Sequence, residues 1–294
     1  AGAGSGKTRV ITQKIAYLIT ECGMSPHNIA AITFTNKAAK EMLERITALM
    51  GGRGVKGLTV CTFHAMGVRI VRQEAQRLGL KPQFSILDAS DTTQIIAELT
   101  GNTDKNRAKA LQWQISSWKN ALIEPDEAAH RANDEISSAA ALLYRDYDKT
   151  LRAYQGVDFD DLIRLPVKLF DEHPEVRERW QNRLRYLLVD EYQDTNRAQY
   201  RLLKLLAGVR AAFTAVGDDD QAIYAWRGAD IENLRQLPVD FPNLRVIKLE
   251  QNYRSTTRIL NAANTVIANN EKLFDKKLWS EHGAGEPVTV VACQ

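Results

Sequence analysis

The sequence predicts an α/β fold: a parallel sheet flanked by helices, with an α-helical subdomain inserted into it. Three observations predict it. Short, continuously apolar runs rich in β-branched residues alternate with longer stretches of 3.6-residue period, as in a sheet covered on both faces. A glycine-rich turn stands directly before the first helical stretch. From about Met66 to about Pro174 the alternation stops, and the chain reads as helix almost throughout.

The strands are IAAITF (29–34), GLTVCTF (57–63), RYLLVD (185–190), AAFTAVGD (211–218) and LRVIKLE (244–250). Between them TRVITQKIAYLI, NKAAKEMLERITALM and TNRAQYRLLKLLAGV carry apolar residues three and four apart, which is the period of a helix with one buried face. Strand, helix, strand in sequence is the signature of α/β architecture. The helical stretch holds one short strand, at QFSIL, and its Trp113 and Trp118, in LQWQISSWKNAL, are expected as packed core aromatics. No repeats or low-complexity segments appear.

At 294 residues the chain is long enough for two domains, and 44% hydrophobic with 26% charged residues is an ordinary globular composition. The net charge of +3 sets up no strong field toward a polyanion, although a local groove can still be positive. Three dispersed cysteines, Cys22, Cys61 and Cys293, argue against a disulfide framework and for a reducing compartment. No segment reads as a signal peptide or as a membrane span, so the expected location is cytoplasmic, with no membrane partner.

AGAGSGKT (1–8) fits a phosphate-binding loop, except that Ala1 stands where the usual pattern has its first glycine. Gly2, Gly4 and Gly6 allow the backbone to curl around Ser5 so that consecutive N–H groups point inward, and the helix starting near Lys7 adds its positive end. Lys7 would hold the β- and γ-phosphates of a nucleotide, and the Thr8 hydroxyl would bind Mg²⁺. Such a site needs acids opposite the loop. RYLLVDEYQDTN supplies Asp190 at a strand tip as metal partner and Glu191 as candidate general base.

A third stretch, AVGDDDQAIYAWRGAD, crowds Tyr224, Trp226 and Arg227 into four positions after three acids and a glutamine. Exposed aromatics beside an arginine suit stacking on unpaired bases. A tryptophan buried in the core beside a surface arginine remains the other reading of the same residues. Cys61 and His64, three apart, lack a second ligand pair at zinc spacing, and no metal cluster is expected there. Asp158, Asp160 and Asp161 in VDFDDLI are compatible with a nuclease-like carboxylate pair or with a structural motif.

Taken in order, AGAGSGKT, AITFTNKAAKEM, TFHAMG, DFDDLI, LLVDEYQDTN, VGDDDQAIYAWRGA and LEQNYRST resemble the motif series of superfamily-one DNA helicases of the UvrD/Rep/PcrA type, nearest the Rep branch. The match runs along the whole chain. It implies a RecA-like motor domain that binds ATP and Mg²⁺ and acts on single-stranded DNA and on junctions of single- and double-stranded DNA, with replication or repair proteins as further partners. Lys7, Thr8, Asp190 and Glu191 take the roles given above. The resemblance makes Gln221 the glutamine that senses the γ-phosphate and links ATP to DNA. Tyr253 becomes the tyrosine on adenine, and Arg254 the arginine that reaches the γ-phosphate. Phe34, Asn36, Thr62, Phe63 and His64 match positions facing single-stranded DNA, as do Tyr224, Trp226 and Arg227. The VDFDDLI acids become structural.

The same resemblance divides the chain into a motor domain (1–65 and 175–255), the helical insertion (66–174) and the start of a second motor domain (256–294). It implies a 3′→5′ helicase coupling hydrolysis to duplex unwinding. The strand expected before the loop and the later motifs of the second motor domain are missing, so the chain reads as an internal fragment with little ATPase activity and no unwinding of its own. Two alternatives are a helicase subunit of a recombination nuclease-helicase and a non-hydrolysing, ATP-gated DNA-binding protein.

Overall fold

In the computed structural model, residues 1–52, 55–101, 104–270 and 272–292 are described, apart from the side chain of Arg227. The elements run α1 (Lys7–Thr20), β1 (Ile29–Thr33), α2 (Asn36–Leu49), β2 (Thr59–Thr62), α3 (Phe63–Gln73), β3 (Ser85–Ile86), α4 (Ala89–Thr100), α5 (Lys105–Asn120) and α6 (Pro125–Arg131). They continue with α7 (Glu135–Ala153), β4 (Gly156–Val157), α8 (Asp161–Glu172), α9 (Pro174–Arg183), β5 (Tyr186–Val189), α10 (Arg197–Ala207), β6 (Phe213–Ala215), α11 (Glu232–Asp240) and α12 (Thr257–Ile267). No helix among the described residues is long and apolar enough to cross a membrane.

Backbone contacts divide the chain into two compact units. One comprises Ala1–Val60, Arg185–Thr195 and Ala211–Gln294; the other comprises Cys61–Leu184 and Asn196–Arg210.

The first unit is organised by a four-stranded sheet of order β2-β1-β5-β6. β5 pairs parallel with β1, Ile29 opposite Tyr186 through Ile32 opposite Val189, and parallel with β6 on its other side. A strand paired on both edges can be apolar at every position. Accordingly all five residues of β1 are buried, as are Leu187, Leu188 and Val189. Ile11, Ile15 and Leu18 of α1 and Met42 and Ile46 of α2 pack with Ile29, Ala31, Leu188 and Val216 in one core, so the helical spacing read from the sequence is the spacing of the buried face. Burying those apolar side chains contributes about 1.5–3 kcal/mol each.

The stretch LRVIKLE is a correction. It forms no strand among the described residues, and Val246 and Ile247 are exposed. A strand requires a neighbour whose backbone takes its bonds. Here the Leu249 carbonyl accepts from Gly2 N–H at 3.2 Å, the Glu250 carbonyl accepts from Trp279 N–H at 3.1 Å, and a single bridge joins Gln251 to Trp279. Apolar composition alone did not supply the partner.

Among its described residues the second unit is helical apart from the last two residues of β2 and the two-residue pair β3·β4, Ser85 beside Gly156 and Ile86 beside Val157, which contains the short strand expected at QFSIL. Trp118 is in its core, stacked on Tyr144 with ring centroids 6.0 Å apart. Trp113 is a second correction: at 61% exposure it lies on the outer face of α5. Five positions advance an α-helix by about 500°, so two residues five apart diverge by about 140° and do not share a face.

Two features of this unit explain residues of the quoted motifs. Gly67 on α3 sits so close to α8 that a Cβ would overlap the Leu162 carbonyl oxygen. That carbonyl is four residues before Pro166, which has no N–H to give it. Two of the VDFDDLI acids, with Asp148 of α7, surround a fully buried Lys119, whose ammonium lies 2.7 Å from Asp158 Oδ2, 3.0 Å from Asp161 Oδ1 and 3.1 Å from Asp148 Oδ1, while Asp160 accepts from Asn120 Nδ2 at 2.8 Å. Tyr147 Oη donates to the same Asp158 oxygen at 2.9 Å. Burial, then the neighbouring Asp161, pushes the Asp158 carboxyl up to about 6. Burial also works against the Asp161 charge, but Lys119, Arg164 and Arg152 outweigh it and hold that carboxyl below its ordinary range. A buried ammonium ringed by three acids has its charge compensated, and Asp158 and Asp161, both buried, have no open face for substrate.

Candidate nucleotide-binding site

At the carboxyl end of the sheet the first unit gathers four loops. Ligands of parallel α/β sheets bind outside that end, where helix N-termini and strand tips converge. The glycine turn enters α1 through Gly4 and Gly6, at φ +71° and +87°, left-handed values that a side chain resists. Ser5 Oγ donates to the Gly2 carbonyl at 2.6 Å and closes the curl. The first turn of α1 leaves its N–H groups without helical acceptors and concentrates the positive end of the helix at Lys7 and Thr8.

Across from the turn stand the acids of the β5 tip. Thr8 Oγ1 donates to Asp190 Oδ2 at 3.3 Å, linking residues 182 apart in sequence. Lys7 Nζ lies 3.9 Å from Glu191 Oε2 and 3.9 Å from Asp218 Oδ2. Burial, reinforced by the adjacent Glu191 charge, raises the Asp190 carboxyl. Burial also pushes Asp194 up to about 6, again with Glu191 next in effect. Two acids whose affinity for protons the Glu191 charge pushes upward make a site that favours added positive charge. Glu191 itself has φ +49°, outside the range ordinary residues prefer, and its N–H donates to Asp190 Oδ1 at 3.0 Å. Strain of this kind is retained where the surroundings fix it.

The residue that fixes it was missed from the sequence. Gln193, buried, donates through Nε2 to Glu191 Oε2 at 3.0 Å and accepts from the Asp218 N–H through Oε1 at 2.9 Å. It locks the β5 tip to the β6 tip, and Gly217 leaves the room: a Cβ there would sit 2.8 Å from Gln193 Oε1. A glutamine between acids after a buried strand was the only signal in the sequence. Gln221, in the one-turn helix Asp219–Gln221, donates through Nε2 to Asp218 Oδ2 and so stands beside the Lys7 contact.

The fourth loop is NYRS. Asn252 is 3% exposed; its Nδ2 donates to the Ala3 carbonyl at 2.6 Å, while its Oδ1 accepts from the N–H groups of Arg254 and Ser255 at 2.8 and 2.7 Å. The Tyr253 N–H donates to the Gly4 carbonyl at 3.0 Å. Asn252 was also missed, although it stands inside the quoted LEQNYRST, directly before Tyr253. Through these bonds the Tyr253 ring, which is exposed, and Arg254 are held against the glycine turn.

The expected DNA-facing residues are placed variously. Tyr224 and Trp226 lie three and five residues beyond Gln221; Trp226 is 66% exposed, and their rings are 6.3 Å apart at 53°. Between the two readings of Trp226, the buried one is therefore excluded. Phe34 follows β1, and Asn36 is exposed at the first position of α2. Thr62, Phe63 and His64 belong to the second unit. Thr62 Oγ1 accepts from Ala65 N–H at 3.2 Å and caps α3, and His64 meets the Phe159 ring edge-on, with burial lowering its proton affinity. Phe63 is a correction: at 1% exposure its ring is an interior one. As the first residue of α3 it faces the core rather than a surface. The Arg227 side chain lies outside the described residues, as does Cys293.

A glycine turn feeding α1, with a hydroxyl–acid pair across it at the carboxyl end of a parallel sheet, defines a phosphate-loop nucleotide-binding fold. Residues 1–242 match the UvrD/REP helicase N-terminal domain and residues 247–294 the UvrD-like helicase C-terminal domain, so the chain belongs to the UvrD/Rep helicase family, whose fold is RecA-like. It is 54% identical over 295 residues to the ATP-dependent DNA helicase Rep of Salmonella typhimurium and equally to that of Escherichia coli, in each case across 99% of this chain and 44% of the relative. To the ATP-dependent DNA helicase PcrA of Bacillus subtilis it is 50% identical over 289 residues, 97% of this chain and 39% of the relative. The chain thus spans less than half the length of these relatives.

Proposed function

We propose that this chain carries the ATP-binding half of the motor of an ATP-dependent 3′→5′ DNA helicase that moves on single-stranded DNA and opens duplexes at junctions, in replication or repair and in the cytoplasm. The observation that carries the reading is the meeting of Thr8 with Asp190 and of Lys7 with Glu191 and Asp218 at one glycine turn. In this reading residues 1–65 and 175–255 form the motor domain, 66–174 an inserted helical subdomain, and 256–294 the start of a second motor domain.

The residues suit Mg²⁺-ATP. Left-handed Gly4 and Gly6 open a cradle, and Gly4 has no room for a side chain. Thr8 and Asp190 offer a hydroxyl and a carboxylate, the hard oxygen donors that Mg²⁺ takes. When bound, the metal would neutralise phosphate charge during transfer. Lys7 exchanges its acidic neighbours for phosphate oxygens. Glu191, held by Gln193, accepts the proton of the attacking water. Arg254, positioned by Asn252, meets the charge that builds on the γ-phosphate, and the Tyr253 ring stacks on the base. Gln221 passes the state of this site to Tyr224 and Trp226, whose exposed rings stack on unpaired bases, with Arg227 at phosphate. Phe34, Asn36, Thr62 and His64 are further DNA-contact residues.

The held geometry of Glu191 favours turnover over an inert ATP-gated scaffold. In the complete protein, Glu191→Gln keeps ATP binding and abolishes DNA-stimulated hydrolysis and strand displacement. Hydrolysis at the parent rate would remove Glu191 as the base, and a parent without ATP-driven displacement would end the helicase reading.

A further inference from the structure

Asp218, Asp219 and Asp220 follow one another after β6, and their carboxylate oxygens lie within 4.8 Å of one another. Three like charges this close repel unless a cation joins them. The cation is Lys276, from the segment after α12: its Nζ lies 2.7 Å from Asp218 Oδ1 and 2.9 Å from Asp220 Oδ2, and it also pairs with Asp219 Oδ1. Lys276 is 7% exposed, on a side chain otherwise typical of surfaces. Burial works against its charge, but the bonds to the three acids outweigh this and hold it protonated far above the ordinary lysine range.

The segment bearing Lys276 is itself anchored. Phe274 N–H donates to Asp219 Oδ2 at 3.2 Å, Lys277 N–H donates to Glu250 Oε1 at 2.9 Å, and Trp279 exchanges backbone bonds with Glu250 and Asn252 at 3.1 and 2.7 Å. What Lys276 holds has little stability of its own. Asp219–Gln221 is a single 3₁₀ turn, and one turn of helix does not persist without outside contacts. Its last residue is Gln221, bonded to the same Asp218 that faces Lys7.

We propose that Lys276 is a positioning residue for Gln221: by clamping Asp218, Asp219 and Asp220 it fixes the turn that presents Gln221 beside the phosphate loop. Its effect on turnover rests on the helicase reading above; its effect on the turn does not. Lys276 acts through Asp218, Asp219 and Asp220, the three acids its ammonium meets. It acts from the segment beyond NYRS, so that the order of that segment and the order of the γ-phosphate-sensing turn rise and fall together.

Two measurements on the complete protein test this. In Lys276→Met, amide hydrogen exchange over residues 218–223 speeds up by about tenfold or more while α1 and α2 exchange as in the parent, the signature of local opening. In the same variant, stimulation of ATP hydrolysis by single-stranded DNA falls about tenfold in kcat with KM for ATP changed less than about threefold, because positioning acts in the transition state. Lys276→Arg, which keeps the charge, recovers most of both. Unchanged exchange over 218–223 in Lys276→Met overturns the clamp. Equal impairment in Lys276→Arg and Lys276→Met overturns it too, since packing alone would then be at work. If the parent shows no DNA-stimulated turnover, the helicase reading falls, and the exchange data decide the clamp by themselves.

Discussion

Replacing Asn252 is the sharpest test of how NYRS serves the site. Asn252→Ala removes three hydrogen bonds from a buried position: one to the Ala3 carbonyl and two from the N–H groups of Arg254 and Ser255. At about 1 kcal/mol net for each bond, the loss is about 3 kcal/mol. It divides between the stability of the loop and the placement of Arg254 and Tyr253. Because about 1.4 kcal/mol is tenfold in rate, a loss confined to the transition state would lower kcat/KM for ATP by about a hundredfold. Steady-state hydrolysis by the complete protein on saturating single-stranded DNA, with a thermal melt beside it, reads both shares. Asn252→Asp separates the bonds: it retains the oxygen that caps the turn but sets a carboxylate against the Ala3 carbonyl, so its defect comes from the tie to the glycine turn. A kcat/KM for Asn252→Ala within about threefold of the parent, at unchanged melting temperature, would refute the reasoning, since no share of three lost bonds would then have reached either quantity.

Trp226→Ala in the complete protein weakens binding to single-stranded DNA by about 1–3 kcal/mol with little dependence on base identity, measured by fluorescence titration; equal affinity would mean the exposed ring stacks on nothing. Gly67→Ala forces a Cβ into the Leu162 carbonyl and lowers stability by about 1–3 kcal/mol in denaturant unfolding, because two packed helices must part. Lys119→Met takes the nearest cation from the buried acids Asp158 and Asp161 and costs about 3–5 kcal/mol by the same measurement. Asp194 has its folded-state pKa at about 6 against an ordinary value of 3.8, so the folded protein holds this proton more tightly than the unfolded chain. Its stabilising contribution is complete below the unfolded value and is lost as pH rises through the folded one. The stability of Asp194→Asn relative to the parent therefore increases between pH 4 and pH 7 in parallel melts, and a flat difference would remove burial as the cause.

Much of the candidate site was legible because its chemistry is written in short stretches. Glycines at alternate positions, a Lys-Thr pair opening a helix and an acid after an apolar run each have a local physical reason, and the structure brings Thr8 to Asp190 as the pattern requires. Gln193, Asn252 and Lys276 were not legible as site residues. A glutamine, an asparagine and a lysine occur everywhere, and what distinguishes these three is the atom each one meets.

The sequence by itself determined the alternation of strands and helices, the buried faces of α1 and α2, and which residues would gather at the glycine turn, because periodicity and motif chemistry act over a few positions. Tertiary structure alone decided that LRVIKLE forms no strand among the described residues, that Trp113 faces out while Trp118 faces in, that the Phe63 ring is enclosed, and that Asp158 and Asp161 of VDFDDLI join Asp148 around Lys119. Those outcomes depend on which partner arrives across long stretches of chain: a neighbouring backbone for a strand, a core for a ring, an ammonium for three carboxylates. Local composition sets what a segment can do, and the partner that folding delivers sets what it does.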